Sequence, residues 1–108
     1  MKTLASLGAA MLAVGALAAS SSPALAHGNV TCGGGPQEGW ASMEQLKKQV
    51  WMEGWKLEKA KPHRDCYEVY ARTEDGAKLE AFFHPVTLKK LLVLRRGKEI
   101  FRAPGFKG

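Results

Sequence analysis

The sequence predicts an α+β domain, one helix packed on a three- to four-stranded antiparallel β-meander, preceded by a segment that is cleaved off. Three observations predict it. Residues 1–26 are apolar after a single early lysine, and Ser and Pro break the run near its end. Residues 43–53 repeat their apolar positions at the helical period. From Gly54 onward the period falls to two, with turn residues between the alternating runs. A chain of 108 residues holds one domain. That excludes a long parallel-sheet enzyme and a multi-span membrane protein.

The first segment reads as an address. Lys2 is the only charge before Glu38, the apolar run spans Leu4 to Ala19, and Ser20-Ser21-Ser22-Pro23 interrupts it before Ala24-Leu25-Ala26. This is the layout of a secretory signal peptide with cleavage near Ala26. A membrane anchor needs roughly 20 apolar residues, which this run does not supply. The expected location is the periplasm or the exterior, with a mature chain starting at His27. Residues 1–26 hold 17 of the 49 apolar residues, so the remaining core is small. Export makes a disulfide between Cys32 and Cys66 the expected state of the two cysteines. Closing that loop contributes about 4 kcal/mol in the chain-entropy model. The two are too far apart for a redox pair, and two thiols alone make a poor zinc site.

Residues 27–39 form an irregular arm around Gly33-Gly34-Gly35, expected to be held only by its cysteine. Trp40 ends it. Ser42 and Gln45 form a capping box for a helix over residues 43–53. Met43, Leu46 and Val50 make its apolar stripe, Trp51 flanks it, and Met52 lies nearly opposite. Gly54 stops the helix. Trp55, Leu57 and Lys59 then alternate with Lys56, Glu58 and Ala60 in a first strand that Pro62 ends, with His63-Arg64-Asp65 as the turn. The second strand is Cys66 to Arg72 and the third Lys78 to His84. A two-residue Asp75-Gly76 turn would place Val69 beside Phe82. A three-residue loop with Gly76 in the left-handed region pairs Ala71 with Leu79, Val69 with Ala81 and Tyr67 with Phe83, all on one face, and is preferred. Pro85 and Thr87 make a corner, and a fourth strand covers 86–95. The domain proper is thus residues 40–95, followed by a basic tail, 96–108.

The helix covers one face of this sheet. The other carries Cys66, Glu68, Tyr70, Arg72, Glu80, Phe82 and His84, and the fourth strand is apolar on both sides. Either the arm covers Tyr70, Phe82 and Leu92, or these residues form a partner or dimer surface.

Catalysis needs a nucleophile with a base, or an acid–base pair, in a cleft. Ser42 is committed to capping, the cysteines to a disulfide, and Glu68 with Glu80 reads as a solvated charge lattice beside Arg72 and Lys78. No enzyme is expected and no cofactor required. A metal alternative exists. A mature N-terminal His27 offers its amine and its imidazole to copper, with His63 and His84 available to complete a nitrogen set. The plainer reading is that His27 is only the residue after the cleavage site.

The charge is uneven. Residues 86–108 carry seven basic side chains, including Lys89, Lys90, Arg95 and Arg96, and one acid, whereas residues 27–85 carry eight basic and nine acidic ones. An exported protein seldom meets nucleic acid, and no stacking platform accompanies the charge. An acidic protein in the cell envelope or an anionic membrane surface is the expected partner, with Ile100, Phe101 and Phe106 adding interfacial contact. A solvated edge strand guarded by Lys and Arg explains the same residues without a partner.

Trp40, the helix, Gly54-Trp55, Cys66-Tyr67-Glu68, Asp75-Gly76 and His84-Pro85-Val86-Thr87 together resemble the PepSY domain, over roughly residues 32–94. The likeness is to small exported single-domain bacterial members. It implies that Trp40, Gly54, Trp55, Tyr67, Glu68, Gly76, Pro85 and Thr87 define the fold. It also implies a non-catalytic module that binds or restrains a partner protein such as a peptidase or a membrane sensor. His84 stands where the family pattern has aspartate, so no role of that carboxylate carries over. The basic end also departs from the acidic end of many small relatives.

Overall fold

The computed structural model describes residues 29–108. The expected signal peptide, residues 1–26, and the copper candidate His27 lie outside the described residues.

Helix α1 spans Met43–Met52. Its capping box forms as the sequence predicts: Ser42 Oγ accepts the Gln45 N–H at 3.1 Å, and Gln45 Oε1 accepts the Ser42 N–H at 2.8 Å. Leu46 and Val50 are fully buried, whereas Trp51 and Met52 are exposed. Gly54, at φ +86°, ends the helix, a backbone angle that costs a glycine little.

The sheet has five antiparallel strands in sequence order: β1 (Lys56–His63), β2 (Cys66–Arg72), β3 (Lys78–Phe83), β4 (Lys90–Arg95) and β5 (Lys98–Arg102). The β2–β3 register is the preferred one, with Ala71 opposite Leu79, Val69 opposite Ala81 and Tyr67 opposite Phe83. Gly76 sits at φ +90° and its N–H donates to the Thr73 carbonyl at 2.9 Å.

Five expectations need correction. β1 does not stop at Pro62 but continues to His63. Because β1 is an edge strand, a residue without an N–H is tolerated there. Its alternation also breaks at a bulge between Leu57 and Lys59, which brings Leu57 and Ala60 onto the helix side. Trp55 precedes the strand and meets Phe83 edge-on at 6.4 Å. β4 begins at Lys90, not Val86, since residues 84–89 fold into a turn closed by the Leu88 N–H on the His84 carbonyl at 2.8 Å. Finally, the expected tail is a strand. Arg96 and Gly97, both at positive φ (52° and 78°), make a two-residue hairpin turn into β5.

The sheet is covered on both faces. On one side α1 closes a core of Leu46, Val50, Tyr67, Val69, Ala71, Leu79, Ala81, Phe83 and Val93. On the other, Val30 packs on Cys66, Phe82, Leu92 and Leu94, with Cys32 and Phe106 at its rim. A domain this small gains much from a second apolar layer, because one face of helix alone buries little area.

Candidate functional site

Three features outside the helix-side core carry chemistry: the anchored arm, an acid pair on the arm-side face, and the basic end of the sheet.

The arm is fixed by more than its cysteine. Cys32 and Cys66 form the expected disulfide, with Cα atoms 5.2 Å apart. Beside it, the Asp65 carboxylate accepts the Cys32 N–H at 2.8 Å and the Gly33 N–H at 2.6 Å. Burial works against this carboxylate's charge, but these amides outweigh it and hold the group below its ordinary range. Gly34 passes so close to Pro85 and the Asp65 carbonyl that a Cβ there would collide with both. Asp65 was read as a turn residue. The signal that could have found it is an acid next to the cysteine that docks a glycine-rich strand of free amides.

With the arm in place, Phe82 (0% exposed) and Leu92 (3% exposed) lie beneath Val30 and Phe106. Neither is exposed, as expected if the arm covers them. Tyr70, the third member of that expected patch, is half-buried and donates its hydroxyl to Glu68 Oε2 at 2.9 Å.

That hydroxyl belongs to the second feature. Glu68, only 4% exposed, and Glu80 stand on the same face of β2 and β3 and share a hydrogen bond. Burial raises Glu80, and the hydrogen bond to Glu68 and repulsion from its charge raise it further, to about 7. For Glu68, burial is outweighed by the hydrogen bonds of Glu80 and Tyr70 and by the charges of His63 and Lys61, so it lies below the ordinary range. Burial and the bond to Glu68 push Tyr70 up to about 12. The expected solvated lattice with Arg72 and Lys78 is not what forms. Arg72 pairs with Glu58 at 2.5 Å, leaving the acids to share a proton. Two clefts among the described residues, one by Trp51 and Trp55 and one by Arg95 and Arg96, include neither acid.

The histidines are engaged separately. His63 Nδ1 lies 3.8 Å from Glu68 Oε1, and its ring meets Phe82 edge-on at 6.0 Å. His84 Nδ1 accepts the N–H groups of Val86 and Thr87 at 3.1 and 3.3 Å. Among the described residues no group of three His, Cys, Asp or Glu side chains is arranged to hold a metal ion.

Three of the family-pattern residues, Trp40, Tyr67 and Pro85, gather around the start of α1, where the Pro85 carbonyl accepts the Ala41 N–H at 2.8 Å. Trp40 meets Tyr67 edge-on at 5.0 Å, and the Tyr67 hydroxyl donates to the Ala41 carbonyl at 2.6 Å.

The basic residues divide. Lys90 is committed: its Nζ lies 2.8 Å from Glu53 Oε1 and 4.5 Å from the centre of the Phe101 ring. Arg102 forks onto Glu99 at 2.8 and 2.9 Å. Lys89 is exposed at one end of the sheet, and Arg95 and Arg96 are exposed at the other. There the β2–β3 and β4–β5 turns face each other across a cleft of about 450 Å³, lined by Arg72, Gly76, Ala77, Lys78, Arg95 and Arg96. All five residues of β5 are exposed, including Ile100 (57%) and Phe101 (37%). Among the described residues no helix is long and apolar enough to cross a membrane.

One family model, that of the peptidase propeptide and YPEB domain, matches residues 9–91. The match ends inside β4, so the β4–β5 turn and β5 lie beyond it. No curated protein and no solved structure matches the chain.

Proposed function

The chain belongs to the PepSY family, the peptidase propeptide and YPEB domain, and on that premise we propose that it is a non-catalytic module of the cell envelope that binds and restrains a partner protein, such as a peptidase or a membrane sensor, through the β4–β5 hairpin. Secretion by the segment 1–26 is part of this reading.

The observation that carries it is β5, an edge strand exposed along its whole length with Ile100 and Phe101 uncovered. An edge strand presents unpaired backbone groups, which a partner strand can complete. The other edge, β1, is interrupted by the bulge between Leu57 and Lys59 and by Pro62, which has no N–H to offer, while α1 covers one face of the sheet and the arm packs on the other. The basic residues at the adjoining turn favour an acidic partner and speed its approach. The surface first expected at Tyr70, Phe82 and Leu92 is therefore moved to the edge.

The test is site-specific photo-cross-linking in the producing cell. A photo-reactive residue in place of Phe101 is expected to trap a discrete partner, and the same residue in place of Glu44, on the wet side of α1, is expected to trap none. Equal yields from both positions, or a partner trapped only from Glu44, would overturn the reading.

A further inference from the structure

We infer that the cleft between the β2–β3 and β4–β5 turns is a carboxylate-binding site that receives an acidic segment of the partner protein. This rests on the reading of the chain as a partner-binding module and specifies the chemistry of one part of its surface.

Four cationic side chains, Arg72, Lys78, Arg95 and Arg96, converge on one recess. Like charges gathered in this way repel, and nothing in the fold compensates them fully. Arg72 is held by Glu58 at 2.5 Å and by the Gly76 carbonyl at 3.2 Å. The Asp75 carboxyl is held below its ordinary range chiefly by Thr73, and the Arg95 charge lies near enough to help favour its ionised form. Lys78 and Arg96 make no ion pair among the described residues. The recess therefore keeps uncompensated positive charge, which is what a bound anion requires.

The backbone adds a second argument. Arg96 sits at φ +52° in a two-residue hairpin turn. Asn, Asp or Gly is the ordinary choice there, because a long side chain in the left-handed region is strained. Strain retained at a named side chain points to a use for that side chain. Arg96 is one of the residues that line the cleft.

The shape selects the ligand. A bilayer surface is planar and meets residues that share a plane, whereas this site is recessed between two turns. Extended carboxylate side chains reach into such a recess, and arginine forks match a carboxylate in two bonds. The partner chemistry is thus an acidic peptide with carboxylates on neighbouring side chains.

The experiment is an NMR titration of the purified protein with a short capped Glu-rich peptide, its Gln counterpart, and phosphatidylglycerol vesicles. The Glu peptide is expected to shift the Gly76, Ala77 and Gly97 amides saturably, and the Gln peptide to leave them in place. Arg96→Ser and Lys78→Ser are each expected to weaken binding about tenfold, the size of one charge-assisted contact. Lys89→Ser, which removes the same charge at the opposite end of the sheet, is expected to change it less than twofold. Equal weakening by Lys89→Ser overturns the site in favour of general charge attraction. Vesicle binding that depends on Arg96 and Lys78, without peptide binding, overturns it in favour of lipid headgroups. A partner still cross-linked from Phe101 while no peptide binds removes the cleft alone. Peptide binding without any cross-linked partner supports the cleft and removes the edge-strand reading.

Discussion

Glu68 and Glu80 stand diagonally across the β2–β3 hairpin, joined by a hydrogen bond that needs one proton between two carboxyls. Two ionised carboxylates at that distance would repel in a poorly solvated place, so Glu80 keeps its proton up to about 7. The neighbouring Tyr70 hydroxyl and the Lys61 and His63 side chains secure the ionised partner, Glu68. The face under the arm is thus half apolar and half a proton-dependent polar network.

This network makes stability depend on pH in a definite direction. A carboxyl raised from an ordinary 4.5 to about 7 is protonated when folded and ionised when unfolded between those values. Its stabilisation is full below about pH 4.5 and is lost as pH rises through about 7. Because Glu80 is half-buried and water reaches it, the loss is on the order of 1–2 kcal/mol rather than the whole of the shift. Glu80→Gln keeps a donor to Glu68 without a titrating proton. It is expected to raise stability near neutral pH and to flatten the profile. Urea midpoints at about pH 5 and about pH 8 check this, and an unchanged decline with pH in the variant would refute the assignment to Glu80.

Asp65 has the opposite sign. Its carboxylate lies below the ordinary 3.8 in the folded chain because it holds the Cys32 and Gly33 amides. Its contribution is present above that ordinary value and is lost as pH falls through the lower folded one. Asp65→Ala leaves two amides of the arm without their acceptor and is expected to cost about 1–3 kcal/mol. Reducing the Cys32–Cys66 bond is expected to cost about 4 kcal/mol more. In both cases arm loosening exposes Phe82 and Leu92, so dye binding to apolar surface should rise with the lost stability.

His84 bears on the family pattern. Its Nδ1 accepts the Val86 and Thr87 amides, so the position asks for an acceptor that reaches two and three residues ahead. An aspartate does this equally well. His84→Asp is therefore expected to change stability by less than about 0.5 kcal/mol, and His84→Ala to cost about 1 kcal/mol. Thermal melts of the two variants decide it: equal losses would mean that Nδ1 does not cap this turn.

Much of this fold was legible because its signals are local. Ser42 and Gln45 announce the helix start, and Gly76 fixes a hairpin register that the apolar residues of β2 and β3 then confirm. β5 escaped because Lys98–Arg102 is exposed throughout and shows no alternation, and because Arg96-Gly97 is not a usual turn pair. The acid pair was visible as two facing glutamates, but its protonation depends on its burial and on Arg72 turning to Glu58. Both are tertiary facts. The role of Asp65 likewise depends on where a distant glycine run docks.

Arg96 permits a test in which stability and binding move in opposite directions. At φ +52° an asparagine is less strained than an arginine, so Arg96→Asn is expected to stabilise the protein by about 0.5–1 kcal/mol. It also removes one of the two cleft cations that make no ion pair, so the same variant is expected to bind the Glu-rich peptide about tenfold more weakly. A residue selected only to turn the chain would gain stability with no loss of binding. A residue strained to present a guanidinium loses binding while the fold improves. Denaturation midpoints and peptide titrations on the same samples separate the two. Unchanged peptide affinity in a stabilised Arg96→Asn protein would leave the strain at this turn without a function.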